Sequence, residues 1–375
     1  MHATLATLQR KRKRRLADHS NNVVYHDPGD PAAKDNDMPG SPSAFSSDLA
    51  VVYLARYAEG VKPVANFVES WERHPPGIAH DRVVIRKGFP DGKVAQDKIL
   101  QRAFSHAVSV SDDGFDINAY AKAARQLPHK HVVFFNTFSE IASDNWLRKL
   151  HSAFADPTVG IAGATGSYES PLSTMKRVRK GVWQLQNRGF PKLASFNWLL
   201  QVIRTRLPKR LAIKLVVRVV SYFAARTTNP DRDHALDDQF EAYWAGEIAP
   251  GGRLARLNEI PAFPNPHIRS NAFMIERQIF LDALPGSIDT KNDSYLFESG
   301  PDSLTQRMLQ RGLKVVVVGG DGCIYEMDRW AKSGTFRLGS QHNLLVRDNQ
   351  TRAFDDMNAA EQRAFATMTW GDESR

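Results

Sequence analysis

Apolar residues first become continuous at Leu49-Ala50-Val51-Val52-Tyr53-Leu54-Ala55. A run of that length without a polar interruption predicts a strand buried on both faces. Shorter apolar runs recur downstream at 82–85, 107–110, 131–135, 159–162 and 314–318, and each predicts a further strand. Between them the pattern changes to helical spacing, over roughly 62–73, 94–104, 117–126 and 144–155. Strands alternating with helices of this length predict an α/β domain with a mostly parallel, doubly wound sheet and helices on both faces. Later in the chain, 267–275 reads as another strand, 277–284 as a short helix and 302–311 as a longer one. No internal repeat is visible.

Two stretches do not follow this alternation. Residues 1–46 combine a basic cluster with a Pro/Gly/Ser/Asp-rich tract and little apolar periodicity, so disorder is expected there. Residues 170–260 form an insert between two halves of the domain, 47–169 and 261–352, and 353–375 is expected to be a C-terminal tail. Charge sharpens this division. The chain carries a net charge of +9, but 10–15 holds six consecutive basic residues, and 170–230 holds 13 Lys and Arg with no acid. The remainder is therefore net acidic, which argues against a general nucleic-acid binder with basic charge spread over its folded face. Within 175–226 the basic residues are interleaved with Trp183, Phe190, Trp198 and many aliphatic residues. That mixture predicts an amphipathic helical insert held on an anionic membrane surface, with Pro208 dividing it. The single cysteine, Cys323, excludes an internal disulfide framework and fits a reducing cytosol. No apolar run approaches the ~20 residues that span a bilayer. The expected location is cytoplasmic, peripheral at the inner face of the membrane.

In open α/β sheets ligands bind beyond the carboxyl ends of the strands, so the residues that follow each strand are the candidates. Arg56 and Tyr57 follow the first strand. Asp112, Asp113, Asp116, Asn118 and Tyr120 follow the third and form the densest polar group after any strand. Asp113-Gly114 also suits a turn, and Asp116 a helix cap. Asn136, Thr137 and Ser139 follow the fourth strand, ahead of Asp144-Asn145-Trp146-Leu147 and its helix. Farther on come Glu298 and Asp302 in an acidic segment before Arg307. Arg269 and Asn271 lie on a strand approached through Pro264 and Pro266, and Trp330, His342 and Arg347 lie in a polar, Arg-rich stretch. Gly163 to Tyr168 has the look of a phosphate loop but lacks its motifs, and a turn shaping the acceptor cleft is expected instead.

The strand at 131–135, its polar turn and the following "NWL..L" helix resemble the centre of family-2-like glycosyltransferases with a GT-A fold. The segment 295–315 resembles the acidic-loop region of the same family. The resemblance covers roughly 48–352, apart from the insert. It implies a transferase that moves a sugar from a nucleotide-sugar donor to a glycan or lipid-linked acceptor, as in cell-surface polysaccharide biosynthesis. An inverting reaction is expected, with Asp302 as general base, although the spacing within the segment leaves Glu298 open for that role. Arg56, Tyr57, Asp112, Asp113, Asp116, Asn118, Tyr120, Asn136, Thr137 and Ser139 are the implied donor-binding residues. Arg269, Asn271, Trp330, His342 and Arg347 are those for the acceptor or diphosphate. The family's D-x-D turn holds Mg2+ or Mn2+, but here the turn carries Asn136 and Ser139 without an aspartate. No metal or other cofactor is therefore assigned, and weak or absent metal dependence is expected. A nucleotidyltransferase of similar sheet topology is the alternative. It would want a Gly-rich basic loop after the first strand, which 56–60 matches poorly. A non-catalytic nucleic-acid or membrane-binding protein would leave the acidic 295–302 segment unexplained.

Overall fold

The computed structural model describes residues 45–187 and 234–371. Most of the basic stretch read as membrane-binding, and the segment read as disordered up to residue 44, lie outside the described residues.

The strands are β1 (Leu49–Arg56), β2 (Asp81–Lys87), β3 (His106–Val110), β4 (His131–Phe135), β5 (Glu140–Ile141), β6 (Val159–Gly163), β7 (Gly166–Ser167), β8 (His267–Ile268), β9 (Ala272–Glu276), β10 (Lys314–Val318), β11 (Ile324–Tyr325) and β12 (Val346–Arg347). Eight of them form one sheet in the order β11-β10-β6-β9-β4-β1-β2-β3. Strands β3, β2, β1 and β4 pair in parallel, as do β6 and β10. β9 runs antiparallel between β4 and β6. The sheet is mostly parallel with helices on both faces, as expected from the sequence.

β1 is apolar from Leu49 to Ala55 because it feeds two cores. Ala50, Val52 and Leu54 point to one face, and Leu49, Val51, Tyr53 and Ala55 to the other. Helices α1 (Val61–Arg73), α2 (Asp97–Ala103) and α4 (Trp146–Ser152) cover the second face through Val64, Phe67, Leu100, Trp146 and Leu150. Helices α3 (Asp116–Ala124), α7 (Arg277–Asp282), α8 (Lys291–Ser299) and α9 (Leu304–Gln310) cover the first through Ile117, Tyr120, Phe280, Phe297, Leu304 and Met308. At the ends of the insert, α5 (Pro171–Asn187) and α6 (His234–Ile248) pack together. Lys176 pairs with Glu241 at 2.6 Å and Lys180 with Asp237 at 3.0 Å, so part of the insert's basic charge is met by acid within the fold. Among the described residues no helix is long and apolar enough to cross a membrane.

Three expectations need correction. The strand expected over 267–275 is two strands separated by a corner at 269–271, and only β9 joins the main sheet. The acidic segment expected as a loop at 295–302 is largely helix. Thr290 opens α8 with a capping box, its hydroxyl accepting from Asp293 N and the Asp293 carboxylate accepting from Thr290 N. The polar stretch after 330 and the expected tail are part of the folded body. α10 (Asn349–Asp355) and α11 (Ala359–Trp370) follow there, and Trp330, Phe336, Phe354 and Trp370 are buried. The polar residues of this stretch, such as Thr335, Arg337, Gln341 and Asn343, are buried as hydrogen-bonding partners, a role that hydropathy alone does not reveal.

The 163–168 segment is glycine-bearing because backbones and side chains crowd it. A Cβ on Gly163 would lie 2.6 Å from Ile268 Cγ2, and one on Gly166 2.7 Å from Trp330 Cε3. The segment forms a tight approach to β8, with Gly166 opposite Ile268 and Ser167 opposite His267.

Candidate active site

The carboxyl ends of the parallel strands gather three groups of polar side chains. The first lies beyond β1, β2 and β3. Arg56, the last residue of β1, makes a two-pronged contact with Asp112, Nε to Oδ1 at 2.7 Å and Nη2 to Oδ2 at 2.9 Å, and also reaches Glu59 at 3.2 Å. The hydrogen bonds from Arg56 hold the Asp112 carboxyl below the usual carboxylate range. Lys87, the last residue of β2, is buried and donates Nζ–H to Gly114 O at 2.8 Å. Burial pushes its pKa down, while Asp116 and Asp112 oppose the shift. Asp116 opens α3. Burial raises its pKa, Lys87 lowers it, and the charge of Glu298 raises it further. The residue at the helix cap is Phe115, so Asp116 is not the cap. Tyr57 is exposed, with its ring 5.7 Å from that of Phe89. Asp113 turns outward to Lys122 at 2.8 Å, and Asn118 packs against Gly114. Tyr120 is buried, stacks on Phe134 and donates its hydroxyl to Ser270 O at 3.3 Å. Sequence reading missed Lys87, because a lysine ending a strand looks like an ordinary exit to solvent.

The second group is the turn after β4, which carries Asn136, Thr137 and Ser139. Asn136 Oδ1 accepts from Phe138 N at 3.0 Å and lies 2.9 Å from Ser139 Oγ. Ser139 Oγ is also 2.7 Å from Asn271 O, and Asn136 N donates to that carbonyl at 3.1 Å. Thr137 is buried, and its carbonyl accepts from Tyr53 Oη at 2.9 Å. These polar atoms are spent on folding the turn onto the 269–271 corner. They offer no carboxylate oxygen to a hard cation and do not fit one. Among the described residues no group of three or more His, Cys, Asp or Glu side chains is placed to hold a metal.

The third group surrounds a cavity of about 310 Å³ whose lining includes Glu169, His267, Arg269, Tyr295, Glu298 and Arg337. Glu298 sits near the end of α8. Its Oε1 accepts from Ser270 N at 3.0 Å, and its Oε2 lies 3.3 Å from Ser270 Oγ, so the corner fixes the carboxylate. Arg269 is buried and bonds Asp348 Oδ2 at 2.6 Å and Thr165 Oγ1 at 3.3 Å, with its guanidinium 3.9 Å from the Phe336 ring centre. Arg337 lies 4.6 Å from the same ring centre and pairs with Glu169 at 2.9 Å. Burial lowers the pKa of His267, and the charge of Glu298 opposes the shift. Asn271, from the same corner, is buried; its Oδ1 accepts from Thr165 Oγ1 at 2.7 Å, and its Nδ2 is sealed without a partner.

The remaining candidates lie elsewhere. Asp302 is exposed, does not line this cavity, and is not the helix cap, since Ser303 caps α9. Trp330 is fully buried and donates Nε1–H to Tyr325 O at 3.1 Å, which makes it a core residue. His342 and Arg347 line a separate cavity of about 460 Å³, between α1 and the β5 segment, with Asn66, Arg73 and Glu140.

No protein-family model matches the chain, and no curated protein matches it. Among solved structures, it is similar to a mannosyltransferase from Pyrobaculum calidifontis in complex with GDP-Man and Mn2+. Identity is 12%, over 96% of this chain and 76% of that one, with a TM-score of 0.37. It is also similar to CMP:2-keto-3-deoxy-manno-octonic acid synthetase complexed with CTP, at 10% identity over 72% of this chain and 89% of that one, with a TM-score of 0.34. A third is glucosyl-3-phosphoglycerate synthase from Mycobacterium tuberculosis, at 14% identity and a TM-score of 0.24. This chain covers 42% of that protein, through 31% of its own length.

Proposed function

We propose that the protein is a glycosyltransferase that uses a nucleotide-sugar donor. The observation that supports this most directly is the Glu298 carboxylate. It is fixed by Ser270 at the carboxyl edge of a mostly parallel sheet, beside the antiparallel β9, and lines a cavity large enough for a sugar ring. Sugar transfer needs a group that draws the proton from an attacking hydroxyl while that oxygen reaches the anomeric carbon. Glu298 supplies the carboxylate that orients the hydroxyl and favours loss of its proton. Asp302, which the sequence reading favoured as the base, faces solvent. The nucleotide is assigned to the ends of β1–β3, where Arg56, Tyr57, Asp112 and Asp116 stand. A glycan or lipid-linked hydroxyl compound is the acceptor class. A nucleotidyltransferase would turn cations after the first strand toward a triphosphate, whereas Arg56 is engaged by Asp112 and Glu59.

The test is thermal shift of the pure full-length chain against a panel of nucleotide sugars, followed by assay of donor consumption. A donor that stabilises the protein and is consumed supports the reading. Stabilisation by free nucleoside triphosphates alone, with pyrophosphate release, would replace it with the nucleotidyltransferase.

The donor set at 136–139 leads to a second expectation. Charge on the leaving diphosphate would be met by fixed cations such as Lys87, Arg269 and Arg337. EDTA is therefore expected to leave most of the turnover intact. Complete loss in EDTA, restored by Mn2+ or Mg2+, would overturn this and point to Asp112, Asp113, Glu140 or His342 as ligands.

A further inference from the structure

One side chain of the cavity is built for a task that the sequence did not assign. His267, on β8, is buried with an exposure of 8%, and its Nδ1 lies 2.8 Å from Asn265 O. A carbonyl oxygen only accepts, so Nδ1 carries the proton and Nε2 presents a lone pair. Nε2 has no hydrogen-bond partner among the described residues and is not sealed off in the interior. The carbonyl that sets this tautomer is itself held firmly. Asn265 is buried, its N–H donates to Tyr168 O at 2.9 Å, and its Nδ2 donates to Ser299 O at 2.7 Å, one residue from Glu298. The chain passing through 265–267 thus ties the imidazole to the end of the helix that carries the carboxylate.

From this geometry we propose that His267 is a catalytic residue: its Nε2 takes the proton of the attacking hydroxyl, while the Glu298 carboxylate lining the same cavity orients that hydroxyl and stabilises the imidazolium that forms. The proposal rests on the glycosyltransferase reading and adds the atom that receives the proton. As the acceptor oxygen forms its bond to the anomeric carbon, the bond from that carbon to the diphosphate oxygen breaks. The electron pair leaves with the nucleoside diphosphate, and the acceptor proton ends on Nε2. The charged or titratable groups lining the cavity with His267 are Glu169, Arg269, Tyr295, Glu298 and Arg337. Burial lowers the imidazole pKa, so the ring rests in the neutral form a base requires.

His267→Asn tests the proposal on the full chain, because the shorter amide can still donate to Asn265 O while Nε2 is removed. Turnover is expected to fall by ~10²-fold or more, with donor affinity by calorimetry unchanged. The wild-type rate should fall in acid as the imidazole protonates, and that limb should vanish in the variant's residual activity. Near-wild-type turnover with the same acid limb would overturn the proposal and leave the glycosyltransferase reading standing. Failure of the wild-type chain to bind or consume any donor would overturn both. A second readout does not depend on the variant's folding. Nitrogen-15 spectra of the wild-type histidines should show His267 protonated at Nδ1 and bare at Nε2, and a resonance protonated at Nε2 would overturn the proposal.

Discussion

Glu298→Gln is expected to lower turnover by ~10²–10⁴-fold and to leave donor binding intact. Gln keeps the shape of the side chain and can still accept from Ser270 N, the bond that now measures 3.0 Å. What it loses is the negative charge. Under the proposed mechanism that charge would orient the acceptor hydroxyl and offset positive charge developing on the proton acceptor, both of which matter mainly in the transition state. The loss should therefore appear in kcat far more than in donor affinity. Asp302→Asn is the matched control, because its side chain is exposed and lies outside the cavity lining. It is expected to retain near-wild-type turnover in the same assay. The reverse outcome, an inactive Asp302→Asn with an active Glu298→Gln, would return the catalytic carboxylate to the loop and remove the cavity from the argument.

The contrast between those two acids shows where the sequence is legible and where it stops. The sheet could be read because burial on both faces leaves a direct mark: Leu49 to Ala55 has no polar residue, and Lys314 to Val318 is one strand in both sequence and structure. Polar residues leave no equivalent mark of direction. Glu298 and Asp302 are four positions apart in one acidic stretch, yet one is fixed by the 269–271 corner and the other faces water. The deciding contact, Ser270 to Glu298, spans 28 residues and has no local signature. His267 was passed over for a similar reason. Within Pro264 to Asn271 it looks like a polar residue in an extended approach, and only the turn that brings Asn265 O to Nδ1 fixes its tautomer. The stretch after 330 was legible only in part. It reads only as polar and Arg-rich, and its composition does not show that Arg337 and Gln341 are buried with Glu169, Thr369, Thr351 and Asp355 meeting their hydrogen bonds.

Asp348→Ala is expected to destabilise the protein by ~3–5 kcal/mol, the usual cost of leaving one member of a buried ion pair without its partner. Asp348 and Arg269 are both buried and meet at 2.6 Å. The same carboxylate caps α10, accepting from Gln350 N at 3.0 Å and Thr351 N at 2.8 Å, so the substitution also removes a helix cap. Urea or thermal denaturation measures the loss, and Glu72→Ala, which breaks only the exposed pair with Arg102, is expected to stay near wild type. The pH dependence has a definite sign. Burial alone would raise the Asp348 pKa, but Arg269 and the backbone donors of the cap hold it below its ordinary value. A carboxyl depressed in the folded state contributes stability that is present above its unfolded pKa of about 4 and is lost as pH falls through the folded value. The gap between wild type and Asp348→Ala should therefore narrow in acid. Pairing Asp348→Leu with Arg269→Met removes both charges together and is expected to recover much of the lost stability. Turnover should not recover with it, because Arg269 lines the cavity as one of the fixed cations assigned to the diphosphate. A double variant that regained stability and activity alike would confine this pair to a structural role.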